Sequence, residues 1–312
     1  MKPMYKLSAA VSVAFLMPIM VIRGGESADK VAADINGIVI YEKELAYPLP
    51  PGAFESEAGK IRDLRLARLL RSRLVARFLQ QEKITVATVA IEQAWAKLHA
   101  NPPSAGCACC RYSSLEAFME TNYFRPDEFR AELTNELGLQ QYLDRQWKLA
   151  YPAGDAGKKH LEQEKPRLQQ EYGKASHIFF NVIQNPDYAN DPDKVLQQAH
   201  ARAEAVWQRL RKGEPFDRLV KESSDDAGSK DRGGLLGCAP LYGFQFGPAF
   251  TKTLTELQPG TYSQPIESAW GVHIIRREPM SDQDYLDILR ENFENELRNK
   301  IEKQLDATGP GK

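Results

Sequence analysis

Ala175-Ser176-His177-Ile178-Phe179-Phe180 and Trp270-Gly271-Val272-His273-Ile274-Ile275-Arg276-Arg277 decide the fold of the second half of this 312-residue chain. Each stretch is dense in aromatic and β-branched residues and reads as a strand. Each also carries a histidine inside its apolar pattern. Alternation puts His177 on one face with Phe179, and His273 on one face with Ile275. Between them, a helix runs from Asp193 to Lys212, opened by Asp191-Pro192 and stopped by Gly213. Phe216, Leu219 and Val220 mark a second short helix. Ser223 to Gly234 is a polar loop, and Phe250 to Leu257 is a third helix. Tyr262–Ile266 is a strand joined by a tight turn to Trp270–Arg277. The order β-α-α-β-α-β-β over residues 173–279 is an α+β domain, a small antiparallel sheet flanked by helices.

Toward the amino terminus the pattern becomes helical. Val31 to Ile35, then Asn36-Gly37, then Ile38 to Tyr41 form a short hairpin that turns on Asn-Gly. From Ile61 to Lys83, Ile61, Leu64, Leu70, Leu74, Val75 and Phe78 fall on one helical face. Arg62, Arg65, Arg68, Arg71, Arg73 and Arg77 occupy the rest. They read as a solvated face whose stems cover apolar surface, the alternative being contact with an acidic partner. Further helices are expected at about 87–100, 114–122 and 126–148, the last opened by Pro126. After a break at Tyr151 to Gly157, a polar helix runs to about Tyr172. At the other end Ser281, with Asp284 three positions on, caps a helix over 281–306. Leu289, Phe293, Leu297, Ile301 and Leu305 line one side of it. A stripe so long must pack on something, and the helical first half is the expected partner. The predicted organisation is therefore an all-α domain over 29–172, the α+β domain over 173–279, and a terminal segment, 280–312, returning to the first.

Lys2 and Lys6 precede an uncharged apolar run from Leu7 to Ile22, the pattern of an export signal within residues 1–28. Gly24-Gly25-Glu26-Ser27-Ala28 is an irregular cleavage site, so an uncleaved anchor is the alternative, and membrane contact is expected only in that case. No cysteine follows the run, which argues against a lipid anchor. The rest of the chain is expected in the periplasm or on the outer face of the cytoplasmic membrane. Cys107, Cys109 and Cys110 crowd together, and Cys238 lies far away. In an oxidising compartment four cysteines favour disulfides, with a long bond from Cys238 to the cluster expected and a thiolate metal site as the rival. Hydrophobic residues at 42% and charged residues at 27% are those of a globular protein. With 41 basic against 42 acidic residues, the net charge of −1 excludes sequence-independent binding to nucleic acid.

Ser224-Asp225-Asp226 with Ser229, Gly233-Gly234-Leu235-Leu236-Gly237, Phe250 with Leu257 and Gly260, Ser263-Gln264-Pro265-Ile266, and Ser268 to Ile275 form one ordered series. Together with Ala175 to Ile178, the series resembles the parvulin (rotamase) family of peptidyl-prolyl cis/trans isomerases over about residues 173–279. More loosely, Ile35-Asn36-Gly37 with Glu44-Leu45, and the terminal helix, resemble the helical region of the exported foldases SurA and PrsA. The parvulin resemblance implies a site of His177 and His273 with Asp226 and Ser268, and a proline pocket lined by Phe246 and Phe250. The chain departs from the family at Leu235, where an Asp is frequent, and at Cys238, where an aromatic is usual. The other histidines, His99, His160 and His200, lie in helical patterns and read as ordinary surface or part-buried residues.

Isomerising an X–Pro bond needs no nucleophile, metal or cofactor, and none is expected here. Ordinary peptide rotation has a barrier of roughly 18–20 kcal/mol, and a catalyst need only favour the twisted, resonance-free bond over either planar form. An apolar pocket holds the ring while a polar network sets the charge felt by the carbonyl. The segment from Asn181 to Lys194 carries Asp187, Asp191 and Asp193 against Lys194 alone, so unmodified rather than anionic polypeptide is the expected substrate. Two classes of function stay open. One is an exported foldase acting on unfolded or proline-containing polypeptides. The other is a chaperone or assembly factor whose parvulin domain binds chains without useful catalysis.

Overall fold

A computed structural model describes residues 30–35, 37–48, 55–104 and 112–307. The export signal, Asn36 and the cysteines at 107, 109 and 110, with the metal alternative there, lie outside the described residues. The chain divides into two units, residues 1–150 with 294–312, and residues 151–293.

In the first unit, β1 (Val31–Ile35) pairs antiparallel with β2 (Ile38–Tyr41), Ile35 facing Ile38. Gly37 takes a φ of +76°, and its N–H donates to Asp34 Oδ1 at 3.1 Å. The helices α1 (Glu42–Leu45), α2 (Glu55–Gln81), α3 (Thr88–Ala100), α4 (Leu115–Thr121) and α5 (Pro126–Ala150) follow. Leu98, Leu115, Phe118, Phe124, Phe129 and Leu133 make one buried cluster. Val75, Phe78, Leu79 and Leu139 make a second, to which Ile301 and Leu305 of the terminal helix belong.

Arg65 of α2 corrects the expectation of a solvated face, which Arg71 still meets. Arg65 is 1% exposed, and each of its five N–H groups has an acceptor among Glu44 O, Leu45 O, Tyr123 O and the Glu128 carboxylate. Arg68 lies 3.6 Å over the Phe124 ring. Arg62 pairs with Glu42, Arg71 with Glu302 and Arg73 with Glu44. Helical periodicity marks Arg65 as polar, but a carboxylate and carbonyls far away in sequence meet it and take it inside, while Arg62, Arg71 and Arg73 pair at the surface.

The second unit begins with α6 (Asp155–Glu171), which runs straight into β3 (Tyr172–Asn181). Then come α7 (Pro192–Arg211), α8 (Phe216–Ser223), β4 (Leu235–Pro240), α9 (Pro248–Glu256), β5 (Ile266–Ser268) and β6 (Gly271–Glu278). The terminal helix α10 (Asp282–Ala307) starts in this unit and ends in the first. Ser281 and Asp284 exchange the expected cap bonds at its start. The sheet is antiparallel throughout, in the order β4-β3-β6-β5. Alternation sends Ile178, Phe180, Val272 and Ile274 to one face, against Val195, Ala199, Ala203 and Val206 of α7 and Leu219 and Val220 of α8. Ala175 and Ile275 go to the other, against Phe244, Phe250 and Leu254. With both faces covered, residues 175–180 are buried without a break.

The strand expected over Tyr262–Ile266 forms later, at Ile266–Ser268, and Tyr262 makes only an isolated bridge to Arg276. Pro265 has no N–H to donate to a ladder, so regular pairing starts after it.

Candidate active site

β3 and β6 lie side by side in a register that pairs His177 with Ile275 and Phe179 with His273. The two histidines thus share a face, offset by two residues, and their rings meet. His177 Nδ1 is 3.1 Å from His273 Nδ1. On its other side His177 Nε2 is 3.0 Å from Asp226 Oδ2, while His273 Nε2 is 2.8 Å from Ser268 Oγ. The four residues singled out from the sequence therefore form one unbranched line, Ser268–His273–His177–Asp226.

Asp226 is fixed from three sides. Gly228 N–H donates to its Oδ1 at 3.0 Å, and the Ser229 hydroxyl donates to its Oδ2 beside His177. The His177 bond, more than any other contact, holds its carboxyl well below the usual carboxylate range. Burial, aided by the neighbouring His177, pushes His273 down to about 3. At neutral pH Asp226 is thus an anion and His273 a neutral ring. The anion requires the proton on His177 Nε2. The facing Nδ1 atoms of His177 and His273 share one proton between the rings, and the Ser268 hydroxyl meets His273 Nε2 at the far end.

The backbone behind the line leaves no slack. His177 N–H donates to Gly234 O at 2.9 Å, and a Cβ on Gly234 would sit 2.2 Å from His177 O. Gly234 has a φ of +77°, so both its conformation and the close approach require glycine. Ser224 Oγ accepts from Phe179 N–H at 3.1 Å, tying the loop that carries Asp226 to β3.

Aromatic rings pack around the histidines. Phe179 stacks on His273 at 4.6 Å, Phe246 lies 4.9 Å from it, and Phe250 meets it edge-on at 5.5 Å. Phe246 and Phe250 are 4.8 Å apart. They differ in access, since Phe250 is fully buried and Phe246 is half-buried. Phe250 packs beneath Phe246, whose ring keeps part of its surface exposed. Phe179, Ser229 and Trp270 were not singled out as site residues. Alternation from His177 marks Phe179, and the turn spacing Asp226-Ala227-Gly228-Ser229 marks Ser229. Trp270 is brought to Ser268 and Gln245 by tertiary contacts that no local signal carries. A cavity of about 600 Å³ lined by Lys174, Ser176, Lys230 and Arg276 opens on the opposite, α8 face of the sheet and has no part in the line.

Cys238 corrects the disulfide expectation. It is a free thiol, and its Sγ lies 3.5 Å from Asp284 Oδ1. β4 pairs Cys238 with Lys174, whose ammonium also binds Asp284, so the strand directs the thiol toward the start of α10. Burial and then Asp284 push the thiol up to about 12.

The profile of the rotamase family, described as the PPIC-type PPIASE domain, matches residues 177–279. The foldase protein PrsA of Clostridium botulinum (strain Hall) is 37% identical over 117 residues, 36% of this chain and 34% of that protein. The chaperone SurA of Chromohalobacter salexigens is 37% identical over 129 residues, 41% of this chain and 29% of that one. The crystal structure of PrsA from Bacillus subtilis aligns over 90% of this chain and 92% of its own with a TM-score of 0.35 and 20% identity. The chain thus spans about a third of the length of the curated relatives it matches. Every member of the line from His177 to His273 falls within the matched residues, and that region matches the rotamase domain of the PPIC type in a chain similar to the PrsA foldases and the SurA chaperone.

Proposed function

We propose that this chain is an exported foldase that isomerises X–Pro bonds in unfolded or newly translocated polypeptides. The observation that carries the reading is the line Ser268–His273–His177–Asp226 beside the half-buried Phe246. The histidines are 1% and 0% exposed, so neither reaches a substrate as a nucleophile. Their work is positional, holding Asp226 and Ser268 at the two open ends.

Phe246 takes the proline ring. A planar amide places partial negative charge on its carbonyl oxygen, and twisting the C–N bond removes the resonance that put it there. An Asp226 anion beside that oxygen raises the energy of the planar forms more than that of the twisted one, and the barrier falls. The first unit, residues up to Ala150 with 294–312, holds the client chain as a helical, chaperone-like module. The apolar run at Leu7 to Ile22 takes the protein to the periplasm or the outer face of the cytoplasmic membrane.

The test is turnover of a proline tetrapeptide by the full chain, with and without the Asp226→Ala substitution. Rapid isomerisation that drops at least about tenfold in the variant supports the reading. Peptide binding at the uncatalysed isomerisation rate would favour the binding-only chaperone.

A further inference from the structure

With both histidines and Phe250 buried, the groups left at the line for a polypeptide to meet are Asp226, Phe246, Ser268 and, hydrogen-bonded to Ser268, Trp270. Trp270 is 50% exposed, yet it is tied down at three points. Its backbone N–H donates to Ser268 Oγ at 3.1 Å, its carbonyl accepts from Val182 N–H at 3.1 Å, and its indole Nε1–H donates to Gln245 O at 3.3 Å. The residue thus joins the β5–β6 turn, the segment after β3 and the loop that carries Phe246. Ile183, next to Val182, is also exposed, at 40%. A solitary exposed apolar side chain needs no explanation. An indole with its N–H satisfied and its backbone anchored is a rigid contact surface.

We propose that Trp270 is a specificity-determining residue that receives an apolar side chain next to the substrate proline. This rests on the isomerase reading, with Phe246 taking the proline ring and the exposed indole taking its neighbour. Because the Trp270 N–H is already spent on Ser268 and its Nε1–H on Gln245, the ring offers a substrate only its π-face and edge. It therefore favours leucine or phenylalanine over glutamate beside the proline.

The experiment measures kcat/KM by NMR exchange for the full chain on Ala-Xaa-Pro-Ala and Ala-Ala-Pro-Xaa peptides, with Xaa as Leu, Phe or Glu. Trp270→Ala should lower kcat/KM for Leu and Phe about three- to tenfold in one of the two series, and for Glu less than about twofold. Trp270→Phe, which keeps a ring, should retain most of the preference, and circular dichroism confirms the fold of both. Equal losses for all three peptides, or an unchanged Leu-to-Glu ratio in Trp270→Ala, would overturn the inference and leave the isomerase reading standing. Failure of the unsubstituted chain on every peptide would overturn both.

Discussion

Asp226 and Phe250 belong to one site but should fail in different ways. Asp226 is a partly exposed anion at the end of the line, so Asp226→Ala should cut turnover while circular dichroism stays unchanged. Phe250 is fully buried beneath Phe246, so Phe250→Ala should cost about 3–5 kcal/mol of stability, read as a lower urea midpoint, and lose activity through pocket collapse. His177 and His273 hold each other through one Nδ1 contact, so their substitutions should be strongly non-additive in kcat, the double variant costing little more than either single one. Additive losses would mean that the rings act separately. The network also sets a pH dependence. His273 is neutral in the fold down to about 3, whereas an unfolded histidine takes up a proton near 6.5. The unfolded state therefore binds more protons across that window, and stability falls as pH falls from about 6.5 toward 3. Asp226, depressed in the fold, adds a loss in the same direction below about 3.9. Hydrogen exchange of the β3 and β6 amides at pH 7, 5.5 and 4 should show this decline, and His273→Gln should flatten it above pH 4.

At the scale of elements, α10 is the segment to cut. Its opening turns belong to the second unit, where Asp284 binds Lys174 and Tyr285 is buried. Its later turns belong to the first, where Ile301 and Leu305 complete a cluster with Val75, Phe78 and Leu139. Removing residues 294–312 should therefore destabilise the helical unit and leave proline turnover near the full-length value. A cut at 281 should damage both units, because it also removes the cap at Ser281 and the Asp284 contacts. Gel filtration, thermal melting and tetrapeptide turnover on the two truncations would show whether the helix divides in this way.

For the whole molecule, the division at Ala150 and Phe293 lets the two proposed roles be assayed apart. Residues 151–293 contain every member of the line and its own core on each sheet face. This fragment should isomerise a tetrapeptide about as well as the full chain. The full chain should in addition suppress aggregation of an unfolded client at near-stoichiometric ratio, which the fragment should not. Equal suppression by the fragment would remove the client-holding role from the helical unit.

The order of strands and helices from β3 to β6 was legible in the residues themselves, because both sheet faces are covered and strand and helix periods differ sharply. His177 and His273 were legible for a related reason, while Asp226 and Ser268 came with the parvulin resemblance. A histidine in an apolar strand is out of place unless something meets it, and an ordered series around two of them narrows what that something is. Local pattern could not decide which groups meet across the fold. Arg65 looks like a surface residue on its helix and becomes buried because Glu128 and three backbone carbonyls arrive from 20 to 63 residues away. Cys238 looks like half of a disulfide and instead faces Asp284, since strand pairing with Lys174 sets its direction. Phe250 and Phe246 look alike in sequence, and only packing makes one a support and the other a surface. Periodicity depends on neighbours within a turn or two, whereas burial, ionisation and access depend on whatever the tertiary structure places alongside.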